Sequence, residues 1–249
     1  MELSEAKIII TGAGSGFGKS MAIHFLESKA SVYAVDIDKQ ALESLKLVYP
    51  GIHIYQCDVA NNTQVEQIIE TIFAEDSGVN VLINNAGIMK NAPLVNLLQR
   101  PDNRHSLDVW QKVMDVNQNA VFYTTRSFAS KMIKNRNKGL IVNISSISAK
   151  GNIGQTAYAA SKAAVEAMTK VWAKELGFFG VRSVAVAPGF MDTSGTHDAL
   201  EGKMLNRWID LTPLKRTGKI KEVVSAVQFV IENDFMNGEV IHVNGGLSI

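Results

Sequence analysis

The stretch KIIITGAGSGFGKS, residues 7–20, carries most of the fold in fourteen letters. Its first part, KIIIT (7–11), is short, β-branched and apolar, as a strand buried on both faces of a parallel sheet is. TGAGSGFGKS (11–20) follows at once, a glycine-rich turn that runs into a helix. Gly12, Gly14, Gly16 and Gly18 let the backbone turn tightly and approach a ligand with no Cβ in the way. The unpaired N–H groups and the dipole at the start of a helix favour phosphate oxygens. The strand, turn and helix therefore predict a phosphate site, and two ligands compete for it. The spacing T-G-x-x-x-G-x-G suits a dinucleotide, although position 17 is Phe and the pattern is not G-x-G-x-x-G. The overlapping AGSGFGKS (13–20) is a P-loop pattern with Ala for its first Gly; Lys19 and Ser20 would then hold the γ-phosphate and Mg²⁺ of an ATP-dependent phosphotransferase.

Working outward, strand-like and helix-like segments alternate along the chain. The other strand candidates are SVYAVD (31–36), IHIYQ (52–56), VNVLIN (79–84), GLIVNI (139–144), VRSVAVA (181–187) and EVIHVN (239–244). Helical stretches lie between them. Val65, Ile68, Ile69 and Ile72 share a face of 61–75; Val109, Val113, Val116 and Ala120 share one of 108–134; 156–178 has Tyr158, Val165, Met168, Trp172 and Leu176 at near-helical spacing. This pattern predicts a single-domain Rossmann fold over 1–249: a seven-stranded, mainly parallel, doubly wound sheet with helices on both faces. Two loops, 88–107 and 189–217, follow strands and so border the crevice where open α/β sheets bind ligands. Both are candidate substrate lids, 189–217 foremost. Phe190, Met191, Met204 and Trp208 would give it an apolar wall.

Composition narrows the function classes. Lys and Arg number 25 and Asp and Glu 24, a net charge of +1, so nothing pulls the chain toward nucleic acid or an anionic membrane. One cysteine, Cys57, excludes an intrachain disulfide and a Cys-based zinc site. The five histidines (24, 53, 105, 197, 242) have no metal-like spacing, so no metal is expected. MELSEAK is acidic where a signal peptide is basic, and no apolar run approaches the roughly 20 residues of a membrane span. A cytoplasmic protein is expected.

Asp36 ends the second strand, eighteen residues after Gly18. In a dinucleotide fold such a carboxylate accepts hydrogen bonds from the adenosine ribose hydroxyls and repels a 2′-phosphate. Ser15 and Ile37 supply no cation to offset it, and Lys39 is the one nearby candidate. NAD is expected in preference to NADP. A Walker B Asp could also end a strand, so Asp36 alone leaves the P-loop reading open.

The second half adds YAASK, where Tyr158 and Lys162 share a helix face four residues apart. NISS places Ser145 and Ser146 just after the fifth strand, NNAG (84–87) follows the fourth, and PGFMDT (188–193) follows the sixth. Asn117 interrupts an apolar helix stripe. With Asp58 after the third strand and VNGG at 243–246, these segments together resemble the short-chain dehydrogenase/reductase family over essentially the whole chain, and the P-loop reading recedes.

The resemblance implies an oxidoreductase that interconverts a secondary alcohol and a ketone by hydride transfer to or from a nicotinamide. It implies that Tyr158 is the acid/base, that Lys162 contacts the nicotinamide ribose and lowers the tyrosine pKa, and that Ser146 orients the substrate oxygen. Asn117 would hold a water in a proton relay. The cofactor would lie on Gly12, Ser15, Gly16, Phe17 and Gly18, on Asp36 and Ile37, on Asp58 and Val59 beside the adenine, and on Asn85, Ala86 and Gly87. Pro188, Gly189 and Thr193 would meet its nicotinamide end, with Tyr158 and Lys162. The magnitudes agree: lowering a phenol from about 10 by two to three units needs roughly 3–4 kcal/mol, and a cation about 4 Å away supplies about 4 kcal/mol at an effective dielectric near 20. The family spacing of thirteen residues before the tyrosine selects Ser145, whereas the strand motif selects Ser146; the strand anchor is preferred. Helices 108–134 and 156–178 pack against their copies in this family, which implies a homo-oligomer, dimer or tetramer. The segments resemble both small-alcohol dehydrogenases and 3-oxoacyl-carrier-protein reductases. Asp36 favours an NAD-dependent alcohol dehydrogenase, with an NADPH-dependent 3-oxoacyl reductase as the alternative.

Overall fold

A computed structural model describes residues 1–98, 101–192 and 202–249, without the side chains of 202–205. Seven strands form one sheet: β1 Lys7–Thr11, β2 Ser31–Asp36, β3 His53–Gln56, β4 Val81–Asn84, β5 Gly139–Ile144, β6 Val181–Pro188 and β7 Val240–Val243. Their order is β3-β2-β1-β4-β5-β6-β7, and every pairing is parallel. The expected "mainly parallel" sheet is thus wholly parallel. Several strands are shorter than their apolar runs because Ile52 and Val79, though buried, lie before the first paired residue.

The helices are α1 Gly16–Glu27, α2 Lys39–Val48, α3 Asn62–Glu75, α4 Leu107–Met114, α5 Ala120–Asn135, α6 Thr156–Leu176, α7 Gly202–Leu211 and α8 Ile220–Glu232. Alternation along each strand divides the core in two. Ile8 and Ile10 of β1 pack with Met21 and Phe25 of α1, Leu42 and Leu45 of α2, and Val223 and Val227 of α8. Ile9 points the other way, into a cluster with Val65, Ile69 and Ile72 of α3 and Phe128 and Met132 of α5. The strand order reverses between β1 and β4, so the loops after these two strands frame the crevice.

The expected single helix over 108–134 is divided. A wide π turn, Asp115–Asn119, separates α4 from α5, with Asn117 fully buried in it. The expected loop 189–217 contains α7, and residues 193–201 of it lie outside the described part.

Candidate active site

The glycine loop is shaped by close approach. Gly12 sits at φ +66°, and a Cβ there would stand 2.8 Å from the Cα of Ala86. At Gly18 a Cβ would stand 2.0 Å from the carbonyl oxygen of Gly12, so only glycine lets α1 begin this close to the loop. Asn85 holds the loop from the side, donating to the carbonyls of Thr11 and Gly12 at 3.0 and 3.1 Å. Thr11 in turn accepts from the backbone N–H groups of Asn85 and Ala86. No side chain caps the start of α1, and nothing lies within 4 Å of a Cβ built on Gly16. Unpaired N–H groups over open space, beside a backbone that a Cβ would obstruct, fit a dinucleotide pyrophosphate.

A groove of about 490 Å³ runs from this loop. Gly12, Ser15, Gly16, Phe17, Asp36, Ile37, Asp58, Val59, Asn85, Ala86 and Gly87 line it. Gly18 shapes the loop from beneath. Asp36 is fixed by backbone: its two oxygens accept from Gly14 N–H at 2.8 Å and Asp38 N–H at 2.9 Å. Lys39 turns along its own helix to Glu43 at 3.6 Å. Lys19 is exposed and lines neither this groove nor the one below, because it lies on the solvent side of the first turn of α1; it is not placed as a P-loop lysine would be. Cys57, Ile88, Lys112 and Val116 also line the groove and were not anticipated. The last two sit four residues apart on α4 and its π turn, a shared helix face that the register could have shown.

A second cavity of about 610 Å³ shares Phe17, Asn85, Gly87 and Ile88 with the first. Ser146, Tyr158 and Lys162 line it, with Pro188 and Gly189. Ser145 also borders it, but its hydroxyl is buried against α6, donating to Glu166 at 2.8 Å. Ser146 instead hydrogen-bonds toward Tyr158 and accepts from Ser148 N–H at 3.1 Å. Lys162, also buried, donates to the Ile144 carbonyl at 2.7 Å, with its Nζ 5.9 Å from the centre of the Tyr158 ring. Asn117 donates to the Ile88 carbonyl and accepts from the Ile88 N–H, at 2.9 and 2.8 Å, and also donates to Ser161. A Cβ on Gly87 would stand 3.3 Å from Asn117 Oδ1 and 3.6 Å from Lys162 Nζ, so both groups close around that glycine. Thr193 lies outside the described residues.

Electrostatics here differ from the expectation. Burial pushes the Tyr158 phenol up, and the Ser146 hydroxyl pulls it back. Burial pushes Lys162 down to about 8. Desolvation is the largest influence on both groups, and at Tyr158 the Ser146 hydroxyl opposes it. Among the described residues no three His, Cys, Asp or Glu side chains gather as metal ligands.

Comparison with known proteins places this geometry. A family model described as enoyl-(acyl carrier protein) reductase matches residues 12–248. The 3-oxoacyl-[acyl-carrier-protein] reductase FabG of Thermotoga maritima is 39% identical over 256 residues, covering 100% of both chains. A short chain dehydrogenase from Bacillus anthracis superposes with a TM-score of 0.87 at 30% identity, over 99% of this chain and 97% of its own. The chain belongs to the short-chain dehydrogenase/reductase family. As a member it is an oxidoreductase of CH–OH groups that works with a nicotinamide cofactor. A gluconate 5-dehydrogenase from Burkholderia cenocepacia, solved with NADP and tartrate, matches this dehydrogenase/reductase at a TM-score of 0.89 and 28% identity, over 97% and 94% of the two chains. Among the described residues no helix is long and apolar enough to cross a membrane.

Proposed function

We propose that the protein interconverts the 3-hydroxyacyl and 3-oxoacyl forms of an acyl thioester, with NAD(H). The observation that carries this reading is the convergence of Ser146, Tyr158 and Lys162 on one cavity continuous with the dinucleotide groove. Similarity to a 3-oxoacyl reductase supports the acyl substrate over a small alcohol. The backbone-held carboxylate of Asp36 supports NAD(H), because it presents negative charge where a 2′-phosphate would have to sit. A second reading, an NADPH-dependent 3-oxoacyl reductase, draws support from the NADP bound by the gluconate dehydrogenase relative.

A bound nicotinamide supplies or accepts the hydride. Gly12, Ser15, Gly16, Phe17 and Gly18 would hold its pyrophosphate, Asp36 and Ile37 its ribose, and Asp58 and Val59 its adenine. Tyr158 gives its phenolic proton to the carbonyl oxygen in reduction and takes it back from the alcohol in oxidation. Ser146 orients that oxygen by hydrogen bonding. Lys162, charged below about pH 8, steadies negative charge on the phenol oxygen. Asn117 clamps Ile88 beside Lys162 and borders the path by which protons are replaced. Phe190 lines the cavity and stacks on Trp208 of α7, ring centres 4.5 Å apart, and this pair would cover the acyl chain. Exposed Phe122 and Ile133 on α5 and Val171 on α6 support a homo-oligomer packed through these helices.

Reduction of acetoacetyl-coenzyme A, with NADH and NADPH compared, tests the reading. Tyr158→Phe is expected to lower kcat/KM by about 10²-fold or more while leaving NADH affinity nearly unchanged. Retention of most of the rate by this variant excludes Tyr158 as the acid/base.

A further inference from the structure

The substrate cavity is unevenly charged. Among its described lining residues there is no carboxylate, and the cations are Lys162, buried at the reacting end, and Lys90, exposed on the rim. Lys90 makes no ion pair or hydrogen bond among the described residues, so its ammonium is uncommitted. Beside it, Asn91 is held in a fixed orientation. Its Oδ1 accepts from Gln155 Nε2 at 2.9 Å, which leaves its Nδ2 donors without a partner among the described residues. Gln155 is itself buried and accepts from Asn152. The backbone is tied as well: Ala92 N–H donates to the Gly154 carbonyl at 2.7 Å, which joins the segment after β4 to the turn preceding Tyr158. The exposed Lys90 ammonium and the fixed Asn91 amide thus lie at the rim of one cavity, with no acceptor for either among the described residues. Met89, Phe190 and Met191 give the same cavity an apolar part of its lining.

Resting on the reading of the substrate given above, we propose that Lys90 and the Asn91 amide form an anion subsite. The preferred substrates carry a carboxylate or phosphate on the end away from the reacting carbonyl. An ammonium beside an oriented amide recognises either oxyanion by charge-assisted hydrogen bonds. The apolar wall accepts the aliphatic part between the anion and the carbonyl. Two sources share this chemistry: the phosphates on the pantetheine arm of a thioester, as in that reading, and the carboxylate of a free 3-oxo acid, which would take the place of the thioester in it.

Reduction of acetoacetate, acetoacetyl-coenzyme A and the neutral N-acetylcysteamine thioester of acetoacetate distinguishes them, in wild type, Lys90→Gln and Lys90→Arg. The expected result is a KM about tenfold or more higher in Lys90→Gln for at least one anionic substrate. The neutral thioester keeps its kcat/KM within about twofold, and Lys90→Arg restores the loss. A loss confined to acetoacetate identifies the carboxylate; one confined to the coenzyme A ester identifies the phosphates. Equal kinetics of wild type and Lys90→Gln on both anions overturn the subsite and leave the proposed activity standing. If no substrate turns over, the proposed function fails, and the subsite is read by binding. Acetoacetate and coenzyme A are then titrated into the protein–NADH complex with nicotinamide fluorescence as the signal. Affinity lowered about tenfold in Lys90→Gln supports the subsite, and unchanged affinity, or no binding to wild type, overturns it.

Discussion

At Tyr158 two opposing effects meet. Removal from water favours the neutral phenol, while the Ser146 hydroxyl favours the phenolate. The same desolvation lowers Lys162 to about 8, so its charge is lost as pH rises through that value. Reduction needs a protonated Tyr158 and a charged Lys162, and both conditions hold below about pH 8. The kcat/KM for carbonyl reduction is therefore expected to be level near neutrality and to fall with an apparent pKa of about 8; an alkaline limb that begins only above pH 10 contradicts this role for Lys162. Asp36 gives a second test. Alanine there leaves the N–H groups of Gly14 and Asp38 without their acceptor, so both cofactors should weaken. The ratio is the informative quantity. NADP(H) use is expected to gain about tenfold on NAD(H), measured as the ratio of kcat/KM values. An unchanged ratio removes Asp36 from cofactor choice. The types and spacing of Tyr158, Lys162 and Asp36 were legible in the chain. Their protonation was not, because it depends on how much water the surrounding elements exclude.

The turn at Asp115–Asn119 widens where Asn117 bonds both polar groups of the Ile88 backbone, a local choice that no helical periodicity records. Behind it, a buried polar network joins the sheet to two helices. Asn84 and Asn143 are register partners on β4 and β5. Asn84 donates to Asn143 Oδ1 and to Thr125 of α5, each at 2.9 Å, and accepts from Thr124; Asn143 donates to Thr169 of α6 at 2.9 Å. All five residues are buried. Asn143→Leu strands one donor of Asn84 in an apolar interior and is expected to destabilise the fold by roughly 1–3 kcal/mol, seen as a lower urea midpoint with an unchanged m-value. An unshifted midpoint would mean that the network carries no net stability. The sequence alone placed these asparagines in two strands, but Asn84 and Asn143 lie 59 residues apart and meet only when β4 pairs with β5, and their threonine partners arrive only with α5 and α6.

Across the whole molecule, apolar side chains remain exposed on the outer faces of α5 and α6, Phe122 and Val171 among them, and Phe178 at the end of α6 is 92% exposed. So much apolar surface on two adjacent helices is expected to be covered by a copy of the chain. Light scattering should give a dimer or tetramer, and Phe122→Asp combined with Val171→Asp should lower the mass; a monomeric wild type would refute the oligomer. The alternation of apolar segments, the four glycines and the spacing of YAASK determined the doubly wound sheet, the phosphate loop and the chemistry expected of its crevice, because hydrophobic period and backbone freedom are local properties of a chain. The choice between Ser145 and Ser146 was different. Adjacent serines cannot be distinguished by count, and only the packing of α6 turns one hydroxyl into Glu166 and the other toward Tyr158. Lys90, Asn91 and Gln155 likewise carried no motif. They come together because the segment after β4 and the turn before α6 meet in space, and such long-range contacts are set by tertiary packing.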